Sequence, residues 1–463
     1  MAVLSKYLLY YRQFIIFLLL TGPWIAFAQE PPTFHWTFDG SIRYRYEKWD
    51  NMNARSYGSN PVIGEPDDNI LLQRVIAGTT IKYNNKITFS AHLQDSRAIG
   101  WSLNNAKEPD AFKIHMENTI EPYYTMNPHE EFFEIYDASI RIDSILKSIS
   151  IIAGRQKIAY TDYRIFGPGS WGNTGRWTWD AIRIVVNKEN WSGGIWVGGT
   201  KIHDPVKTYL PFTNTEYTGG GIHSKTHLTD YMNADVYMAH KRQGSADYIK
   251  NKSISRNWFG FRFYNPADRS LKYEISSTLE YGKENDSRIK ALGLFFKLGY
   301  QLNQIIWHPC LTLRYTYASG NSPQTNYNEN FDPVFGAGDR YYGWMNLVKW
   351  SNLDDREFMI ELFPLDGMQI ELKYNRLVIP QPEGVMINGN LELLPGKQHL
   401  GNEIDFYAKY DINNNWQLAT AFGLFLLKDA QTANSEKPSN ASWIAFQVLY
   451  AFSWNINKKA SQF

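Results

Sequence analysis

Cysteine is almost missing from this sequence. A single residue, Cys310, occurs in 463, so no disulfide closes within the chain and stability has to come from burial and hydrogen bonding. Its apolar, strand-like surroundings suit a packed, inert thiol better than a reactive one. An excess of one charge is lacking as well. The 47 Lys and Arg against 46 Asp and Glu leave a formal charge of +1, which argues against a nucleic-acid partner. The ten histidines form no HxH or HExxH pair, so no transition-metal site is indicated and no cofactor is expected. Acidic doublets such as Asp67-Asp68, Glu130-Glu131 and Asp354-Asp355 match no calcium-loop spacing. They are expected to be solvated or to face lipopolysaccharide. Long apolar runs are missing after the first 28 residues, so the rest of the chain offers no membrane-spanning helix.

The one apolar run lies at the start. Lys6 and Arg12 precede Phe14-Ile15-Ile16-Phe17-Leu18-Leu19-Leu20, a break at Gly22-Pro23, and Ala26-Phe27-Ala28, an A-x-A cleavage site. Residues 1–28 therefore read as a cleaved secretory signal, leaving a single domain over residues 29–463. What the chain has in abundance is aromatic: 16 Trp, 30 Tyr and 26 Phe. An exported, polar chain crowded with Tyr and Trp suits a β-barrel with an apolar lipid face and a polar lumen. A secreted or surface-attached all-β glycan-binding protein shares that composition, and composition alone does not separate the two.

Periodicity does more. In "SIRYRYEKW" Ile42, Tyr44 and Tyr46 take one face while Arg43 and Arg45 take the other. The stretches "KITFSAHLQ", "CLTLRYTYASG" and "MQIELKYNRLVI" repeat this period of two, the signal of a strand apolar on one side. Connections alternate between tight turns, such as Asn84-Asn85, Leu365-Asp366-Gly367 and Asn413-Asn414-Asn415, and long polar segments. The long ones fall at roughly 50–69, 97–131, 157–177, 200–216, 242–254, 320–353, 380–401 and 428–440, with one short exception near Lys283–Ser287. That alternation predicts a transmembrane antiparallel up-and-down β-barrel of about 18 strands, with short periplasmic turns and long extracellular loops. The count turns on Tyr341–Trp350, compatible with a strand or a loop. The last strand is expected to stop near Ile456. Trp49, Trp101, Trp191 and Trp307, at strand ends, are expected in interfacial girdles.

Arginine then becomes the informative residue. Arg43, Arg45 and Arg314 oppose the aromatic faces of their strands, and Arg74 shares a face with Thr80 and Lys82. Arg183 sits between Ile182 and Ile184. All five are predicted to face the lumen, as is Lys373 beside Glu371, while Asp137 and Asp143 share a face with Arg141. Guanidinium stays charged and forks onto carboxylates, which suits a path for anions. The stretch "GRQKIAYTDYRIFGPGSWGNTGRWTWDAIRI" (Gly154–Ile184) gathers Arg155, Arg164, Arg176 and Arg183. It lacks the Lys-Ser/Thr ending of a phosphate loop. No histidine lies between His129 and His203 to complete a local triad with Asp162, Ser170 or Asp180. No enzyme is expected. The remaining reading is an extracellular loop folding into or over the channel mouth, lined by Arg155, Arg164 and Arg176, its glycines permitting tight turns.

Several ordered stretches resemble the alginate export family of outer-membrane porins: "LQDSR" (Leu93–Arg97), "GRQ" leading into "DYRIFGPGSWGNTGRWTWDAIRI", "FDPVFG" with "YYGW", "WSNLDD" and "LGNEIDFYAKY". The chain departs from the family's "GRQ-x-L-x-YG" pattern, with Ile158 in place of leucine and Thr161 in place of the last glycine. The resemblance implies a monomeric 18-strand barrel in the bacterial outer membrane, in contact with lipid and lipopolysaccharide. It also implies an arginine-rich lumen that passes an anionic polyuronate chain outwards.

Overall fold

The computed structural model describes residues 33–51, 68–99, 113–115, 122–125, 130–161, 163–169, 171–174, 177–202, 207–245, 253–333, 335–336, 341–383, 391–432 and 440–458. Eighteen strands dominate. They are β1 (Phe34–Asp50), β2 (Asp68–Tyr83), β3 (Ile87–Ile99), β4 (Glu131–Ile142), β5 (Ile149–Lys157), β6 (Thr178–Lys188), β7 (Trp191–Thr200), β8 (Tyr217–Thr229) and β9 (Met232–Gln243). There follow β10 (Ile254–Tyr264), β11 (Leu271–Glu284), β12 (Ser287–Gln301), β13 (Cys310–Ala318), β14 (Leu353–Leu362), β15 (Met368–Val378), β16 (His399–Asp411), β17 (Trp416–Leu427) and β18 (Ala441–Lys458). Each pairs antiparallel with the next, and β1 pairs with both β2 and β18, so the sheet closes on itself. Tyr327–Asn328 adds a short parallel strand beside β12. Closure leaves no edge strand of this sheet unpaired.

Alternation along the strands sorts the side chains. In β1, Arg43, Arg45, Glu47 and Trp49 are buried while Tyr44 and Tyr46 are exposed. Around the barrel the outward rows carry exposed Ile182, Ile184, Ile195, Val197, Ile222, Leu279, Leu298, Leu313 and Phe358. So much exposed apolar surface is the lipid face of a membrane barrel. Phe34, Trp36, Tyr83, Tyr300, Trp416 and Trp454 are exposed near the short-turn end and form an aromatic girdle there. Trp307 is exposed on its turn, and Trp191 is partly buried with its indole N–H donating to Ser224 Oγ at 2.8 Å. Trp49 does not belong to a girdle. It shares the inward row of Arg43 and Arg45 and packs on Trp443 at 5.6 Å between centroids. Trp101 lies outside the described residues, as do residues 1–32 with the expected signal segment.

The connections alternate as expected, with the short one at Asn285-Asp286 on the long-loop side. One open reading is decided and two expectations change. Tyr341–Trp350 is not a strand but an inward-folded segment, with Tyr342, Trp344, Met345, Leu347 and Trp350 all buried. The last strand runs two residues beyond Ile456, to Lys458. The acidic doublets are not uniformly solvated either: Glu131 is fully buried and holds Lys201 Nζ at 2.6 Å, and Asp355 is buried on the lumen face of β14. Cys310 is buried, as expected of a packed thiol.

Candidate constriction of the channel

Two of the long connections fold into the lumen because their residues are too apolar to lie in water. In the first, between β5 and β6, Ile158, Tyr160, Ile165, Phe166 and Trp177 are buried. At roughly 1.5–3 kcal/mol per fully buried large apolar side chain, the inward position is strongly favoured. Tyr160 stacks on Phe166 at 4.1 Å and 9°. The second connection, between β13 and β14, supplies buried Phe331, Phe335, Trp344 and Trp350. The two interlock through backbone: Gly167 N donates to Phe335 O (3.1 Å) and Phe335 N to Ile165 O (3.4 Å). Trp177 Nε1 also donates to Gly336 O at 3.1 Å. Further along, Trp171 of the first loop meets Trp344 of the second edge-on at 5.1 Å.

Guanidiniums from the wall seat the first loop. Arg43 and Arg74 lie directly opposite each other in the β1–β2 register. Arg43 donates to Trp171 O (3.2 Å), Gly172 O (2.9 Å) and Asn173 Oδ1 (3.0 Å). Arg74 donates to Gly172 O at 3.1 Å. Arg45 donates to Trp171 O at 2.5 Å, lies over the Trp171 ring at 4.1 Å, and pairs with Glu47 at 2.6 Å. These carbonyl-directed bonds neutralise the cations far less than carboxylates would.

The other singled-out cations have separate positions. Arg164, inside the first loop, is buried against the Phe295 ring at 3.1 Å and pairs with Glu274 at 2.9 Å. Burial pushes its guanidinium below the ordinary value, and Glu274 opposes that. Arg183 lies on the lumen row with Ala181 and Val185, while Ile182 and Ile184 point outward. Arg314 pairs with Glu357 at 2.9 Å across β13 and β14. Lys373 is buried on the inward row of β15, its Nζ 5.8 Å from the Trp344 ring.

Arg155 is placed differently from a mouth-lining residue. It stands opposite Asp180, one position out of phase with the Ala181–Arg183–Val185 lumen row. It is fully buried, bonded to Asp180 (2.7 and 3.0 Å) and Glu134 (2.6 Å). Asp180 also accepts the Phe212 amide at 3.1 Å. Arg155 thus ties strand ends to the 207–216 connection and presents no surface to a solute. Arg176 lies outside the described residues.

Periodicity did not single out the carboxylates opposite. Glu357, Asn375 and Glu403 share one row across β14, β15 and β16, and Met359, Lys373 and Asp405 share another. Asp355, Glu357, Glu403 and Asp405 are all buried. The lumen wall therefore carries both signs, with four buried carboxylates on β14–β16 around Lys373 and guanidiniums on β1 and β2 beside Glu47. The spacing of Glu403 and Asp405 around Ile404 was a visible signal. Their contacts with the second loop, 61 and 58 residues away in sequence, were not.

Comparison with curated protein sequences gives no match. Among solved structures the fold is similar to that of OpdK of Pseudomonas aeruginosa, solved with vanillate (TM-score 0.58, 8% identity, 90% of this chain and 99% of that one). OccAB4 of Acinetobacter baumannii is similar at TM-score 0.58 and 11% identity, over 92% of this chain and 99% of the other. OccK11 (OpdR) of Pseudomonas aeruginosa gives 0.53 and 9%, over 90% and 96%. At such identities these likenesses speak for the fold alone, a closed antiparallel β-barrel. The sequence profile of the alginate export family matches residues 34–445. With an 18-strand closed barrel, an outward lipid face and that match over nearly the whole barrel, the chain belongs to the alginate export family of outer-membrane β-barrel porins.

Proposed function

We propose that this porin passes anionic saccharides, of the alginate-like polyuronate class, by passive and electrostatically selective diffusion. The observation that carries the reading is the convergence of Arg43, Arg45 and Arg74 on the Trp171–Gly172 backbone, beside the meeting point of the two inward loops. A carboxylate moving along that arc meets the half-buried Arg74 and the field of the buried Arg43 and Arg45 behind it, which lowers its barrier where the channel is narrowed. Arg183 extends the positive arc along β6. The acidic arc on β14–β16 opposes it, keeping the net field moderate so that a polyanion binds weakly enough to leave. No bond is made or broken. In planar bilayers, oligouronates are expected to interrupt the ionic current at far lower concentration than neutral oligosaccharides of the same length. Equal potency of the two would remove the anionic substrate from the account.

A further inference from the structure

The second inward loop is held by an arrangement that a purely structural contact does not require. Trp344 N donates to Asp405 Oδ2 at 3.2 Å and Met345 N to Glu403 Oε1 at 2.8 Å. The chain is shaped for this approach. Gly343 has φ +97°, and a Cβ there would lie 2.3 Å from the Glu403 carboxyl carbon. A Cβ on Gly423 would lie 2.4 Å from Met345 Cγ. Trp344 then stacks on Tyr407 at 4.2 Å and 18°, and meets Trp171 of the other loop.

The electrostatics of the seat are unusual. Glu403 is 0% exposed and Asp405 1%. The two stand two residues apart on one face of β16. Neither makes an ion pair among the described residues, and Glu403 Oε2 and Asp405 Oδ1 are buried with no hydrogen-bond partner. Their surroundings hold more acid than base, with one cation, Lys373, directly opposite Asp405. Asp355 and Glu357 face them from β14, Asn375 and Lys373 from β15, Gly423 and Phe425 from β17, and Tyr407 from β16 itself. Arg314 is engaged by Glu357. No group of three or more His, Cys, Asp or Glu among the described residues is arranged to hold a metal ion. Two adjacent, dry carboxylates facing one cation and two backbone amides are costly to ionise together, and a shared proton would relieve both the repulsion and the orphaned oxygens.

We propose that Glu403 and Asp405 share one proton and are positioning residues that latch Tyr341–Trp350 into the lumen, releasing the segment when that proton is lost to water. The sign follows from burial. In the mono-protonated state the pair carries one charge, stabilised by donation from the two amide N–H groups and by Lys373 opposite. Deprotonated, it is a buried dianion that has to be hydrated, and water reaches it only if Trp344 and Met345 lift away. The channel therefore widens as pH rises and narrows as pH falls.

The test is single-channel conductance of the folded protein from mildly acidic to mildly alkaline pH, with Glu403→Gln and Asp405→Asn beside the wild type. Either amide keeps the acceptor for the loop N–H and donates permanently to its neighbour, imitating the protonated pair. Wild-type conductance is expected to rise with pH. Both variants should stay at the low-conductance level throughout, with heat-modifiable gel migration reporting an intact barrel. A wild-type conductance flat with pH, or a folded variant that opens with pH as the wild type does, overturns the latch. Neither result bears on whether the solute is an anionic saccharide.

Discussion

Replacing Arg164 by Met tests whether the first inward loop is held by specific charge contacts or by bulk alone. Met keeps an unbranched chain of similar reach but removes the guanidinium that pairs with Glu274 and covers the Phe295 ring. Breaking a buried ion pair costs about 3–5 kcal/mol when the partner is left alone. Here Glu274 keeps Arg262 at 2.8 Å, which reduces the penalty, while the lost cation–π contact adds to it. The net loss is about 2–3 kcal/mol of docking free energy, equivalent to roughly a 30- to 150-fold shift towards the undocked loop. Hydrogen exchange read by mass spectrometry reports that shift directly. The Tyr160 amide, bonded to Phe166 O at 3.2 Å, and the Gly167 amide, bonded to Phe335 O, should lose protection by that factor. Amides within β5 and β6 should not change. Unchanged protection at Tyr160 and Gly167 in the variant would refute the idea that Arg164 docks the loop.

Other expectations follow from the same geometry. Arg155→Ala leaves Glu134 and Asp180 buried without their cation, a loss of about 3–5 kcal/mol. It should lower the urea midpoint of the gel-mobility transition without altering ion selectivity; altered selectivity would return Arg155 to the pore wall. Gly78 lies between Asp39 and His92 in one cross-strand row, and His92 reaches over it to Asp39 at 3.1 Å while its other nitrogen meets Asp137 at 2.9 Å. A Cβ there would lie 2.4 Å from His92 Cα. Gly78→Val should therefore impair barrel folding in vitro far more than His92→Gln, and equal folding yields would show that the close approach is unimportant.

The barrel was legible because lipid and lumen impose opposite chemistry on alternate residues. β1 shows it plainly: Arg43, Tyr44, Arg45 and Tyr46 alternate in the sequence as they do in space. Arg183 between two isoleucines is the same signal. The constriction was less legible, because an aromatic segment that packs inward has the composition of a half-buried strand. Tyr341–Trp350 is the case in point: its partners, Tyr407 and Trp171, come from distant parts of the chain. Trp49 misled for a related reason. Near the long-loop end its row faces the inward loop, not lipid. Arg155 carried no local mark of its buried pairing, since Glu134 and Asp180 lie 21 and 25 residues away.

In the proposed function, guanidiniums on the β1, β2 and β6 arcs make the constriction favour anions. The most direct measurement is the reversal potential across a planar bilayer under a salt gradient, for the wild type and for Arg74→Glu combined with Arg183→Glu. Reversing a unit charge roughly 6 Å from a passing ion changes its energy by about 1–5 kcal/mol between the limits of water and a protein surface. The wild type is expected to be anion-selective, with a preference that falls sharply or inverts in the double variant. A cation-selective wild type, or a reversal potential unmoved by the two substitutions, would contradict it.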